Sequence, residues 1–150
     1  MISRAILVLP RLYLGAIFSL AVSAKLFAGN FTAHMTAFLN AMLPNASSAY
    51  QSFAQAFILP NAAVIATLVI VGETFVGIAM LVGLTTRLAS AVAIVLLLNY
   101  MLAKGMTFLA PASNDAADIV LAIVVGVGAA GRFWGIDAIL ARRYPRIPLW

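Results

Sequence analysis

The feature that most constrains this chain is a carboxylate, Glu73, set inside an otherwise apolar stretch. Residues 71–87 read VGETFVGIAMLVGLTTR, and the next charged residue after Glu73 is Arg87. A charged side chain on a helix that faces lipid is costly, so such residues usually face the interior of a helix bundle or a water-filled cavity. The stretch therefore predicts a buried polar site within a membrane helix.

The composition places the whole chain in a lipid bilayer. Of its 150 residues, 65 % are hydrophobic and 9 % are charged, and the mean hydropathy is +1.10. Soluble domains carry about a quarter charged residues, so a soluble globule is excluded. The net charge of +5 does not indicate a nucleic-acid partner, because the basic residues are dispersed along apolar sequence. Their placement fits the flanks of membrane helices instead.

The chain lacks cysteine and has a single histidine, His34. Disulfides, thiolate metal ligands and iron–sulfur clusters held by this chain alone are therefore excluded. We expect no metal site and no covalently bound cofactor.

The apolar runs predict one all-α domain, an integral membrane four-helix bundle. The spanning helices are expected at residues 5–27, 60–85, 88–103 and 116–133. Residues 28–59 are expected to form an amphipathic segment on the outer face, because apolar side chains recur at helical spacing from Phe31 to Met42. Residues 141–150 form a basic tail.

The basic residues divide unequally between the two ends of such a bundle. If both termini are cytoplasmic, the outer side carries only Lys25 and Lys104. The inner side then carries Arg4, Arg11, Arg87, Arg132, Arg142, Arg143 and Arg146. By the positive-inside rule, this asymmetry predicts a multi-pass protein of a bacterial-type cytoplasmic (inner) membrane with both termini inside.

Three pairs of charges are each separated by 14 residues: Arg11 and Lys25, Glu73 and Arg87, and Asp118 and Arg132. Fourteen residues make nearly four helical turns and rise about 21 Å, so each pair is predicted to lie on one face of its helix. If the three arginines mark the inner interface, the other three charges share a level toward the outer leaflet.

The candidate site is this outer polar level. Asn99 and Tyr100 follow Arg87 by 12 and 13 residues, which places them about 18–20 Å along the third helix and close to the same level. The amphipathic segment above them carries His34. The expected cluster comprises Lys25, His34, Glu73, Asn99, Tyr100 and Asp118, with Glu73 as the candidate proton-handling residue.

Two interpretations of this cluster remain open. Lys25, Glu73 and Asp118 can hold the helices together as buried ion pairs without any ligand, and Lys25 rather than Arg11 is then the expected partner of Glu73. Alternatively, they line a pocket in which Glu73 handles protons. For His34, the alternatives are a polar residue of the membrane interface, a proton carrier and a hydrogen-bond donor to a quinone.

Three patterns carry a resemblance to a known family. They are the string GETFVGIAMLVGLTTRLAS, the first-helix pattern Arg11…Gly15…Lys25, and the ending GAAGRFWGIDAILARRYPRIPLW. Together they resemble the DoxX family of small membrane proteins. Ser23-Ala24 departs from the Ala-Gly that many members have before the lysine. The resemblance implies a four-helix bundle associated with membrane oxidoreductases, and one relative, DoxD, is a subunit of thiosulfate:quinone oxidoreductase.

The resemblance thus implies a membrane subunit of an oxidoreductase or electron-transfer complex, with a quinone or lipid pocket and with other membrane subunits as partners. Two other functions remain open, a purely structural accessory subunit and a pathway for small solutes or protons. Transporters usually contain repeated halves, and no repeat is evident in this chain, which disfavours the pathway. A homo-oligomer remains open as well.

Overall fold

The structure is a computed structural model that describes residues 4–110 and 114–147. Within those ranges every regular element is helical and no β-strand occurs. The longest helices are α1 (Val8–Ala28), which a 3-10 turn at Arg4–Leu7 precedes, α4 (Ala62–Val82) and α5 (Thr86–Ala103). Ser113, a residue type that often caps the start of a helix, and Trp150, the last residue of the predicted basic tail, lie outside the described residues.

Three helical stretches in the described ranges are long and apolar enough to cross a bilayer: Ala5–Ala28, Ala62–Val82 and Thr86–Ala103. Their outward faces carry large apolar side chains. Leu20, Leu68 and Val95, for example, are 70 %, 59 % and 65 % exposed. Apolar faces of this extent suit hydrocarbon rather than water, and helices satisfy their backbone hydrogen bonds internally. The chain is therefore a membrane protein.

The fourth predicted helix, residues 116–133, is shorter than expected. Helix α6 runs Asn114–Val127, and a 3-10 turn at Ala130–Arg132 follows it. Between the two, Ala129 adopts a left-handed backbone with φ of 47°. The 14 residues of α6 rise about 21 Å, against a hydrocarbon core of about 30 Å. It is accordingly not one of the helices long enough to span.

The four longest helices pack in a closed order: α1 contacts α4, α4 contacts α5, α5 contacts α6, and α6 returns to α1. Between α1 and α4 the contact depends on small residues. A Cβ atom on Gly77 would lie 2.6 Å from Ser19 Oγ, and one on Gly15 would lie 2.9 Å from the backbone nitrogen of Leu81. Close approach through small residues is typical of helices packed within a membrane.

The amphipathic helix predicted between α1 and α4 is confirmed as α2 (Phe31–Met42). A further helix, α3 (Ser48–Phe53), continues through a π-helical turn at Ala54–Ile58. These elements bury Leu39 and Tyr50 against Ala103 at the end of α5. They form a cap over the ends of α4 and α5.

The 14-residue spacing marks one helix face only for Arg11 and Lys25, which both lie on α1. Glu73 and Arg87 lie on different helices, because α4 ends at Val82 and Gly83 adopts a left-handed backbone with φ of 68°. The predicted helix 60–85 is thus shortened at both ends.

The same correction applies to Asp118 and Arg132, which the left-handed turn at Ala129 separates. The apolar run continues through this turn, so hydrophobic periodicity alone did not reveal it. The predicted basic tail begins inside a short helix, α7 (Asp137–Arg143). Residues 148–150 of that tail lie outside the described ranges.

Candidate functional site

Glu73 lies in the middle of α4 and is 1 % exposed. Lys25 of α1 donates hydrogen bonds to both of its carboxylate oxygens. The hydroxyl of Tyr100, from α5, donates to Oε1 of Glu73 at 2.7 Å. Three helices thus meet at one carboxylate, and the prediction that Lys25 rather than Arg11 is its basic partner is confirmed.

Lys25 also connects this ion pair to the cap. Its Nζ lies 5.5 Å from the centroid of the Phe31 ring and 5.7 Å from that of the Tyr100 ring. A cation over an aromatic face is attracted by the ring, more strongly where water is excluded. Lys25 therefore bridges the start of α2 to α5 while it neutralises Glu73.

A cavity of about 350 Å³ opens between the cap and the ends of α4 and α5. Five of its lining residues are polar: Lys25, His34, Asn99, Tyr100 and Lys104. The others are apolar: Phe31, Met35, Phe38, Leu39, Ile58, Ile65, Val69 and Ala103. The volume falls in the range of small-molecule sites, about 300–1,000 Å³, as does the mixture of apolar walls and few polar groups. Four of the six predicted cluster residues share this cavity.

Glu73 itself does not line the cavity. The two residues that hydrogen-bond to it, Lys25 and Tyr100, form part of the cavity wall. Any influence of the Glu73 carboxylate on a ligand therefore passes through the lysine ammonium or the tyrosine hydroxyl.

Asn99 is oriented by a residue that sequence analysis did not select. The hydroxyl of Tyr50, on α3, donates to Asn99 Oδ1 at 2.8 Å, and Tyr50 is only 6 % exposed. Burial raises the pKa of Tyr50 above its ordinary value, which keeps the proton on the hydroxyl. The sequence placed Tyr50 only within the amphipathic segment of residues 28–59, and a separation of 49 residues from Asn99 gave no signal of their pairing.

Lys104 is the second cation of the cavity. Its Nζ donates to Asp115 at 2.8 Å, and the two side chains are 32 % and 13 % exposed. The sequence predicted Lys104 only as a basic residue of the outer side. Its partner lies in the first turn of α6, so this pair ties α6 to the C-terminal end of α5.

Comparison with known protein families identifies the family of this chain. A family model described as "TQO small subunit DoxD" matches residues 4–148. The chain belongs to the DoxD family. No curated protein and no solved structure matches it. The predicted resemblance to DoxX/DoxD-like proteins is confirmed, and this DoxD-family protein is a membrane protein.

Asp118 does not line the cavity of this DoxD-family protein. It interacts electrostatically with Tyr13 of α1. That Asp118 shares a level with Lys25 and Glu73 stays a prediction. One premise of it was wrong, because the left-handed turn at Ala129 ends the helix before Arg132.

The end of the DoxD-family bundle where α1 begins contains a second buried polar junction. Arg11 is 2 % exposed, and its guanidinium donates to the carbonyls of Ala130, Phe133 and Trp134 at 3.2–3.3 Å. Arg11 was predicted to mark the inner interface, but its charge is enclosed by the turn that follows α6. Of the other two predicted markers, Arg87 is half-buried and Arg132 is exposed.

Asp137 completes this junction, and sequence analysis gave it no role. Its carboxylate accepts hydrogen bonds from the backbone nitrogens of Thr85 and Thr86 at 2.6 and 2.9 Å and from the Thr86 hydroxyl at 2.6 Å. A carboxylate at this place satisfies the free N–H groups at the start of α5 and complements the helix dipole. The only sequence signal was its place in the family-like ending.

Proposed function

We propose that this protein is the membrane subunit of a quinone-linked oxidoreductase and that its outer cavity holds the quinone head. The observation that carries the proposal is that Lys25 and Tyr100 both line the cavity while both bind the buried carboxylate of Glu73. The donor set suits a quinone, because carbonyl oxygens of a flat apolar ring need hydrogen-bond donors between apolar walls. The family description supports a role as one subunit of a larger assembly.

Each residue has a separate task in this proposal. Lys25 donates to an acceptor oxygen of the ligand, and Glu73 holds the ammonium in place and balances its charge. The Tyr100 hydroxyl is committed to Glu73, which fixes the ring as a wall of the cavity. A quinone supplies a two-electron, two-proton acceptor when bound. A proton exchanged with Glu73 must pass through Lys25 or Tyr100, so Glu73 acts as a positioning residue or as the second member of a relay.

A purely structural subunit is the second candidate, and the enclosure of Glu73 favours it. With 1 % exposure and hydrogen bonds from two other helices, Glu73 holds α1, α4 and α5 together whether or not a ligand binds. The presence of a cavity against Lys25 makes us prefer the quinone-linked role.

The test is photolabelling of the full-length protein in nanodiscs with an azidoquinone. Label that decylubiquinone displaces is expected in peptides from α2 and from the end of α5. Met35→Trp fills the cavity, so it should reduce displaceable labelling at least about tenfold, as loss of a ligand site does. Met42→Trp, the same change on α2 outside the cavity lining, is the matched control. Absence of displaceable label in the wild-type protein, or equal labelling of both variants, would contradict the proposal.

We also propose that α6, together with the turn at Ala130–Arg132 that follows it, completes four membrane crossings and that both termini face the cytoplasm. The supporting observations are the closed packing order of α1, α4, α5 and α6 and the arginine-rich inner end. Because the chain lacks cysteine, single cysteines report position without background. In sealed right-side-out vesicles, Ser48→Cys should react with an impermeant maleimide, and Ala141→Cys should react only after permeabilisation. Labelling of residue 141 in intact vesicles would reverse the orientation.

A further inference from the structure

Among the polar groups of the outer cavity, hydrogen-bond donors outnumber acceptors. Lys25, Lys104 and the amide nitrogen of Asn99 can only donate, and His34 can donate and accept. The Tyr100 proton is committed to Glu73, so its oxygen offers only acceptor capacity. No carboxylate is among the lining residues in the described part of the chain. The cavity thus presents an excess of donors to whatever occupies it.

The orientation of Asn99 follows from Tyr50. The buried Tyr50 hydroxyl needs an acceptor, and within residues 4–110 and 114–147 its acceptor is Asn99 Oδ1 at 2.8 Å. If the amide were reversed, two donors would face each other and the tyrosine proton would lose its partner, which is costly for a buried group. The amide nitrogen is therefore the end of Asn99 that is left for the cavity, whose wall Asn99 helps to form.

From this arrangement we infer that the cavity selects the oxidised, acceptor-only form of its ligand, the quinone, over the quinol, with Asn99 as a specificity-determining residue held by Tyr50. This inference rests on the proposed function and adds a redox-state preference to it. Carbonyl oxygens of a quinone accept from Asn99 and Lys25 without conflict. The hydroxyls of a quinol bring two further donors into a site that already has too few acceptors, so some of them stay unpaired.

The inference is tested by binding decylubiquinone and decylubiquinol to the full-length protein in detergent. Titration calorimetry under anaerobic conditions gives both dissociation constants once partition into empty micelles is subtracted. The wild-type protein should bind the quinone about tenfold more tightly, which is the order expected for one or two hydrogen bonds.

Two variants identify the cause of the preference. Asn99→Asp places acceptor oxygens in the cavity while one oxygen still receives the Tyr50 proton, so it should weaken quinone binding about tenfold and reverse the preference. Tyr50→Phe releases the amide to turn, so it should reduce the preference toward unity with Asn99 still present. Asn40→Asp, the same chemical change on an exposed residue of α2 outside the cavity lining, should leave both constants unchanged.

The outcomes separate this inference from the function on which it rests. If the wild-type protein binds neither form, the proposed quinone-linked function fails and the inference fails with it. If it binds both forms equally, the cavity is a quinone site without redox preference, and only the inference is overturned. A wild-type preference that persists in Tyr50→Phe would show that Asn99 is not what sets it.

Discussion

Replacing Asp137 by asparagine is expected to lower the free energy of unfolding by about 3 kcal/mol, because each hydrogen bond to a charged group contributes about 1.5–3 kcal/mol. The carboxylate accepts from two backbone nitrogens and from the Thr86 hydroxyl, all within 2.9 Å. Asparagine keeps one acceptor oxygen and turns an amide donor toward another donor. The loss should appear as a lower midpoint when the protein in detergent is unfolded with increasing dodecyl sulfate and followed by circular dichroism.

Asp115→Asn is the matched control for this change. Its partner Lys104 is 32 % exposed, and ion pairs that water reaches contribute at most about 1 kcal/mol. Gly131→Ala should instead behave like Asp137→Asn, since a Cβ atom there would lie 2.0 Å from Thr86 Oγ1 and 2.2 Å from Asp137 Oδ2. Equal stability losses in Asp137→Asn and Asp115→Asn would mean that the junction around Arg11 and Asp137 does not stabilise the bundle.

The sequence was sufficient to predict the burial of Glu73 and its partner. A carboxylate within a long apolar run has few tolerable environments, and Lys25 is the one lysine on the first helix. The amphipathic helix of residues 31–42 could be predicted as well, because its apolar positions follow the helical period. These features depend on the pattern of nearby residues, which a single sequence displays directly.

The ends of the helices were not predictable in the same way. Both α4 and α6 stop at residues with left-handed backbones, Gly83 and Ala129. Glycine commonly ends a helix in this conformation, but alanine seldom adopts it. Because the apolar runs pass through both turns, the prediction that Glu73 and Arg87, and likewise Asp118 and Arg132, lie on one face of a single helix was wrong.

The polar junctions at each end of the bundle were missed because their partners are distant in sequence. Asp137 binds groups 51 and 52 residues away, and Tyr50 binds Asn99 across 49 residues. Spacing within a helix says nothing about such pairs. The sequence therefore predicted the polar side chains that the first and third spanning helices contribute to the cavity. It did not predict Tyr50, which orients Asn99.

Breaking the Lys25–Glu73 pair from one side should be the most damaging change at the cavity end of the bundle. Glu73→Gln leaves the ammonium without its counter-charge, and Lys25→Met leaves a carboxylate that is 1 % exposed. Removing one partner of a buried pair costs about 3–5 kcal/mol, whereas removing both charges together is often nearly neutral. We expect each single variant to lose most of its folded yield and the double variant Lys25→Met/Glu73→Gln to recover it, measured as monodisperse protein after extraction.

The same double variant separates the structural task of the pair from its task at the cavity. If Lys25 donates to the quinone, the double variant should fold yet bind decylubiquinone about tenfold more weakly, because the cavity has lost that donor. Asp115→Asn removes the other ion pair at the same end and leaves both lysines of the cavity wall in place, so it serves as the control for the loss of a pair as such. A double variant at Lys25 and Glu73 that folds and keeps wild-type quinone affinity would show that the pair only holds the helices together. If the single variants are as stable as the wild type, the pair does not hold the helices together either, because an uncompensated buried charge would then cost nothing.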